Sequence, residues 1–312
     1  MTMMCAAGVD VGRDFLDVSI APAGRTFRVS NALAGIRTVV RRLQQAGVSR
    51  VVLESIGTYG MRLVRALADA GFEVGIVDPK RIKALRLAEG KRAKTDRLDA
   101  ELIARFALLM NEAARPIPSA KALEIRALST RRRQLVEMAA MEKVRIKQAL
   151  DPEVIESSRI LIDHLTTERQ RIEQKLQQFL LDEPGNADRV ALLQSIPGIG
   201  PAVAMTLMAD LPELGTMDRK AVASLSGLAP HANESGIRTG PNHIQGGRPC
   251  VRTALYMAAL AAARSDQGFK TEYQALRESG KPAKVALIAI ARRLVVAANA
   301  ILKTGQPWSR ST

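Results

Sequence analysis

The stretch AAGVDVGRDFLDVSIAP, residues 6–22, decides the fold. Apolar and polar residues alternate on both sides of Gly12, Arg13 and Asp14, the pattern of two strands joined by a tight turn. GRTFRVSN, residues 24–31, adds a third strand. Further along, Leu33, Ile36, Val39, Val40 and Leu43 recur at helical spacing within residues 32–45, until Gly47 stops them. VVLES, residues 51–55, has the length and composition of a buried strand. Residues 61–70 are helical in pattern and end at Gly71, and FEVGIVDP, residues 72–79, is a strand closed by Pro79.

Three strands, helix, strand, helix, strand is the order of an RNase H-like α/β domain. A helix over 95–110 follows, and Pro116 and Pro118 close the domain at residue 118. Residues 119–184 are highly charged and helix-forming, broken at Asp151-Pro152 into two long helices. Ile162, Leu165, Ile172, Leu176 and Phe179 repeat at three-four spacing, interrupted by Arg169, which predicts a coiled-coil helical hairpin. Residues 185–312 form a third, mostly α domain punctuated by glycine.

Composition restricts the partners. The 312 residues carry a formal net charge of +15. Each phosphate neutralised by Lys or Arg releases counterions, so such a chain favours a polyanion. From residue 218 onward Lys and Arg outnumber Asp and Glu, so this half carries much of the excess. Aromatic residues are only 3%, which argues against a surface of stacked single-stranded bases. Cys5 and Cys250 have no metal spacing, and His164, His231 and His243 are too scattered for zinc. The N-terminus lacks a basic leader, and no apolar run looks long enough for a bilayer; the Ala-rich stretch 253–263 stops at Arg264. A reduced, cytoplasmic protein with no membrane partner is expected.

Three motifs carry chemistry. Asp10 and Glu54 lie on strands within apolar surroundings, where a charge needs a partner. Asp96 and Asp99, in KTDRLDA, are three apart on one helix face, with Thr95 as its cap. Four carboxylates gathered at strand ends suit Mg²⁺, or Mn²⁺, which takes oxygen ligands and stabilises charge in phosphodiester chemistry. Asp14, Asp17 and Asp78 are rival ligands. GVDVG also has the look of a first phosphate loop of actin-like ATPases, but no second loop, Walker loop or dinucleotide fingerprint accompanies it. SIPGIGPAVA, residues 195–204, reads as a helix-hairpin-helix in which Gly198 and Gly200 offer backbone N–H groups to a DNA phosphate. GLAPHANESGIRTGPNHIQGGRPCVR, residues 227–252, is Gly-rich, polar and basic. Ser235 stands in its middle beside Gly236, with Arg238, Arg248 and Arg252 as positive charges that could face a departing phosphate oxygen or bind DNA. Taken alone, a loop serine is usually only a loop serine.

Together, GVDVGRDFLDV, VVLESIGTYG, VDPKRIKALR and KTDRLDA, then IPGIGPAVA, GLAP, GGR and VRTALYMAA, resemble the DEDD transposases of bacterial insertion sequences, relatives of bridge-RNA-guided recombinases. The resemblance covers nearly the whole chain. It implies a RuvC-like acidic domain with Asp10, Glu54, Asp96 and Asp99 as metal ligands and Ser235 as a nucleophile that forms a covalent phosphoserine. It also implies DNA as substrate, a structured guide RNA, and a homo-oligomer, dimer or tetramer, assembled through the coiled coil. In that family the active site is thought to combine domains of different protomers. Two rivals remain: a metal-only structure-specific endonuclease resembling Holliday-junction resolvases, with Ser235 structural, and a non-enzymatic basic DNA-binding protein. Ser224, Ser226 and Tyr256 are the nearest alternative hydroxyls; their apolar, helix-like contexts suggest packing.

Overall fold

A computed structural model of the chain describes residues 5–54, 59–90, 95–109, 119–235 and 238–309, with the backbone alone at 120, 232–235 and 238–242. Pro116, Pro118 and Gly236 lie outside the described residues. The chain divides into two compact units, Met1–Pro118 and Ser119–Thr312.

In the first unit β1 (Ala6–Val11), β2 (Phe15–Ala21) and β3 (Arg25–Ser30) form an antiparallel meander. Helix α1 (Leu33–Gln45) leads to β4 (Arg50–Glu54), and α2 (Met61–Asp69) to β5 (Glu73–Val77). The sheet runs β3-β2-β1-β4-β5, with β4 parallel to both β1 and β5. This mixed five-stranded sheet is an RNase H-like arrangement. Both faces are covered. Ala7, Val9 and Val11 alternate onto the face shared with Leu16, Val18, Val51 and Leu53, where Ile36, Val39 and Leu43 of α1 and Leu63 and Leu67 of α2 pack. Ala6 and Val52 point the other way, against Leu102, Ile103 and Phe106 of α4 (Asp96–Leu109) and Ile82 of α3 (Pro79–Ala88). The strand alternation therefore sorts every residue of β1, β2 and β4 onto one face or the other.

Sequence periodicity gave no hint of α3. Its signal is local: Asp78 caps the helix, its Oδ1 accepting from the Lys80 amide at 2.8 Å, and Pro79 takes the first position.

The second unit begins with α5 (Ala120–Gln148) and α6 (Pro152–Leu181), an antiparallel pair. Asp151 caps α6 with its side chain ahead of Pro152. The apolar stripe of α6 is covered within the chain: Leu165 and Ile172 pack with Leu135, and Leu176 and Leu180 with Ile125. At the base of the pair Ala209 and Met205 of α8 (Pro201–Asp210) join, and the Ser129 hydroxyl lies 2.6 Å from the Asp210 carboxylate. Then come α7 (Asn186–Gln194), α8, α9 (Arg219–Leu225), the hairpin β6 (Pro230–Ser235) and β7 (Arg238–Ile244), α10 (Pro249–Ser265), α11 (Gln267–Glu278) and α12 (Ala283–Thr304).

The β6–β7 hairpin lies in the Gly-rich stretch 227–252, which the sequence reads as a loop within a mostly α domain. PHANES and RTGPNHI pair antiparallel, Ser235 opposite Arg238. A second correction concerns α12. The sequence holds an apolar helix long enough to cross a bilayer by length and composition, Ala283–Thr304. Its apolar side is spent on the core, where Ile290, Ala291, Leu294, Val295 and Ala298 are fully buried with Leu255 and Ala259 of α10. Asn299, also buried, accepts from the Gly215 amide at 2.8 Å and donates to the Met217 carbonyl at 2.7 Å, tying the loop before α9 to the helix.

Candidate active site

One glycine brings the acids together. Gly8 lies on the β1 face turned toward α4, and a Cβ there would sit 2.1 Å from the Ala104 nitrogen and 2.5 Å from the Ala100 carbonyl oxygen. The helix thus crosses β1 in backbone contact, which only glycine permits. Asp10 follows Gly8 on the same face, and Asp99 and Asp96 lie one turn back from Ala100 and Ala104 on the helix that crosses it. Glu54 is two residues beyond Val52, whose side chain packs on α4, so it falls on that face too. Asp17 stands opposite Asp10 in the β1–β2 register.

The electrostatics agree with this convergence. The Asp10 carboxyl is pushed up from the ordinary 3.8 to about 6, first by burial, then by the negative charges of Asp99, Asp96, Glu54 and Asp17. The other three sequence candidates, Glu54, Asp96 and Asp99, therefore each act on Asp10.

Two arginines missed by the sequence reading belong to the cluster. Arg28, the register partner of Asp17 on β3, donates to both Asp17 oxygens at 2.8–3.1 Å and to Asp96 Oδ2 at 2.9 Å. Its guanidinium also lies over the Phe15 ring, 5.5 Å from the centroid. Arg86 of α3 pairs with Asp99, which is almost wholly buried. The β2–β3 pairing was the available signal for Arg28; no sequence signal placed Arg86 here. With these partners, the described residues include no group of three or more acidic, His or Cys side chains already set around an ion. The donor set is nonetheless all oxygen, the chemistry that Mg²⁺ and Mn²⁺ take, and its mutual repulsion is what a divalent cation relieves. Asp96 lies mostly exposed in the first turn of its helix, and its pair with Arg28 is exposed to solvent.

The rival ligands have other work. Asp17 is neutralised by Arg28, Asp78 caps α3, and Asp14 lies exposed 3.9 Å from Arg13.

In the second unit the residues expected to contact DNA divide. Gly200 is exposed at the cap of α8, ahead of Pro201. Gly198, at φ 82°, is packed against α10: a Cβ there would meet the Ala258 carbonyl oxygen at 2.3 Å and the Ala262 nitrogen at 2.8 Å. Arg248 reaches both oxygens of Glu213 at 2.6 Å and the Asp210 carbonyl at 2.9 Å. It holds Glu213 below the usual carboxylate range against the opposing effect of burial. Arg252 donates to the carbonyls of Gly246 and Gly227. Ser235 ends β6 and Arg238 begins β7, at the tip of the hairpin; their side chains lie outside the described residues. Among the alternative hydroxyls, Ser226 is fully buried and donates to the Val222 carbonyl at 2.7 Å, and Tyr256 packs against the core, whereas Ser224 is exposed, contrary to the expectation that it packs.

Comparison with known proteins supplies the family. Residues 7–155 match a transposase model of the DEDD type named for IS110, and residues 190–274 match the transposase IS116/IS110/IS902 family. The pilin gene-inverting protein of Moraxella bovis is 27% identical over 264 residues, 83% of this chain and 82% of its own. The insertion element IS110 43.6 kDa protein of Streptomyces coelicolor is 30% identical over 116 residues, 36% of this chain and 29% of its own. Among solved structures, T. thermophilus RuvC in complex with Holliday junction substrate aligns with 36% of this chain and 83% of its own, at 17% identity and a TM-score of 0.25. The two family matches cover most of the chain between them, and the protein belongs to the IS116/IS110/IS902 family of DNA transposases.

Proposed function

We propose that this transposase cuts and rejoins DNA strands by a covalent serine mechanism supported by the acidic face of the first unit. The observation that supports the metal part of the reading is the placement of Asp10, Glu54, Asp96 and Asp99 on one side of the sheet, with Asp10 held above the ordinary carboxylate range first by burial and then by the neighbouring negative charges. Asp10, Glu54, Asp96 and Asp99 would hold a divalent cation, Mg²⁺ or Mn²⁺, which supplies positive charge for the attacking and leaving oxygens of a phosphodiester.

The Ser235 hydroxyl oxygen attacks a backbone phosphorus. A serine O–P bond forms, the P–O bond to one sugar breaks, and the serine proton passes to the departing sugar oxygen. Rejoining is the reverse: a sugar hydroxyl attacks the phosphoserine and frees the serine. Arg238, the register partner of Ser235, is the cation assigned in this reading to the phosphate oxygens.

The basic second unit binds the DNA backbone without reading sequence, with Gly200 at the exposed start of α8 as one phosphate contact. A structured guide RNA belongs to the same reading and rests on the family alone. A second copy of the chain fits the far end of the α5–α6 pair, where Met141, Val144, Leu150, Val154 and Ile160 are exposed. Its place of work is the cytoplasm, on the nucleoid.

The test is to trap the enzyme on end-labelled DNA from the insertion element's own boundary, denature it, and map the modified peptide. The reading predicts a Mg²⁺-dependent phosphoserine at Ser235. An adduct on Tyr256, or cleavage with no adduct at all, overturns it.

A further inference from the structure

The two ends of the hairpin that carries Ser235 meet at one crossing. Gly227 precedes β6, and Gly246 and Gly247 follow β7; all three have positive φ, at 69°, 67° and 62°. A Cβ at Gly247 would lie 2.1 Å from the Gly227 nitrogen, and a Cβ at Gly227 would lie 2.6 Å from the Gly246 carbonyl oxygen. The backbone strands therefore touch where no side chain fits. Arg252, near the start of α10, donates from one guanidinium nitrogen to the Gly246 carbonyl at 3.0 Å and the Gly227 carbonyl at 3.4 Å. One side chain thus spans both stems. Beside it the Arg248 amide donates to the Leu225 carbonyl at 2.9 Å, and the Arg248 side chain is fixed by Glu213.

Cations at the start of a helix oppose its macrodipole. Here Glu213 and three main-chain carbonyls offset that opposition, which ties both arginines to the stem and its surroundings. Beyond the stem, among the described residues, β6 and β7 pack chiefly on each other. A two-stranded hairpin has little rigidity of its own, and at roughly 3.3 Å per residue its tip stands about 20 Å from its base. A small tilt at the base becomes a displacement of ångströms at the tip.

We infer that Arg252 is a positioning residue that locks the hairpin stem and so sets where Ser235 meets the scissile phosphate. This rests on the reading of Ser235 as nucleophile, and it departs from the expectation that Arg252 holds DNA. Misplacing a reacting group by about 1 Å can cost about 100-fold in rate.

The experiment compares the full-length wild type with Arg252→Ala and Arg252→Lys, using a duplex from the insertion element's boundary. In Arg252→Ala the single-turnover cleavage rate at saturating DNA should fall about 100-fold. The dissociation constant and the slope of its logarithm against log salt should stay at wild-type values, since no phosphate contact is lost. Amides of residues 230–244 should exchange with solvent faster, while the thermal midpoint and the exchange of α10 and α12 hold. Arg252→Lys, which keeps a donor for one carbonyl, should recover part of the rate and keeps the comparison usable should the alanine variant not fold. Weaker binding with a shallower salt slope and an unchanged rate at saturation would make Arg252 a phosphate ligand and overturn the inference. Unchanged hairpin exchange would also overturn it. Failure of the nucleophile reading looks different: the wild type would cleave without an adduct at Ser235, whatever the exchange data show.

Discussion

The acidic face of the first unit and the serine hairpin of the second are built on opposite principles. The face is part of a five-stranded sheet buried on both sides, where alternation alone fixes which way each residue of β1 and β4 points. The hairpin has two strands, and its placement depends on a stem of three glycines and an arginine. A packed sheet can hold carboxylates close together although they repel, because its core supplies the stabilisation. In the proposed mechanism, a hairpin held at its stem carries Ser235 toward a bulky duplex. The cost is that its aim rests on a few contacts.

The largest effect expected from the first region is on cleavage. Asp10→Asn keeps the shape of the side chain and removes its charge. Metal stabilisation of phosphoryl charge is worth several kcal/mol, and each ~1.4 kcal/mol is tenfold in rate. Single-turnover cleavage should drop about 100-fold or more, with DNA affinity retained. Wild-type cleavage by this variant would remove Asp10 from the site and leave the sheet with no chemical role.

Gly8→Ala probes the packing that brings α4 over Asp10. The new methyl would meet the helix backbone at 2.1 Å, so α4 must shift. Overpacking of this kind costs about 1–3 kcal/mol. Urea denaturation should register that loss, and cleavage should fall as Asp96 and Asp99 move with the helix. A variant of full stability and full activity would show that the helix does not need its close approach.

The smallest effect is on stability against pH without metal. The Asp10 pKa, about 6 in the folded chain, lies above its ordinary 3.8, so the folded state binds this proton more tightly than the unfolded. The contribution is fully present below the ordinary value and is lost as pH rises through about 6. In a chelating buffer, the thermal midpoint of the wild type should therefore decline relative to Asp10→Asn between those values. Parallel curves would mean that neither burial nor the neighbouring carboxylates raise the Asp10 pKa.

The contrast also explains what was legible. The order of strands and helices could be read because period-two and helical spacings are local signals, and Asp10 and Glu54 stood out as charges within the apolar runs GVDVG and VVLES; Asp96 and Asp99, in the charged KTDRLDA, had only their three-residue spacing. Arg28 and Arg86 were not found, since their partners Asp17, Asp96 and Asp99 meet them only through strand register and helix packing. The stem of the serine hairpin was harder still. Its glycines read as loop residues and its arginines as DNA ligands, because a basic, Gly-rich segment looks the same whether its cations face phosphates or its own carbonyls. The α12 helix passed unnoticed as an apolar segment because Arg292 and Arg293 interrupt it, yet its buried side organises the second core.

The central claim is that the two regions serve one reaction, in which the acids cannot act without the serine. Ser235→Ala removes one oxygen from a hairpin tip, a change that typically alters stability by less than about 0.5 kcal/mol. The direct measurement is the single-turnover cleavage of boundary DNA by folded Ser235→Ala in saturating Mg²⁺, beside the wild type. The account predicts loss of both cleavage and covalent adduct, by about 10⁴-fold or more, as for other nucleophile deletions. Undiminished Mg²⁺-dependent cleavage by Ser235→Ala would contradict it and leave the acidic face as a nuclease acting with water alone.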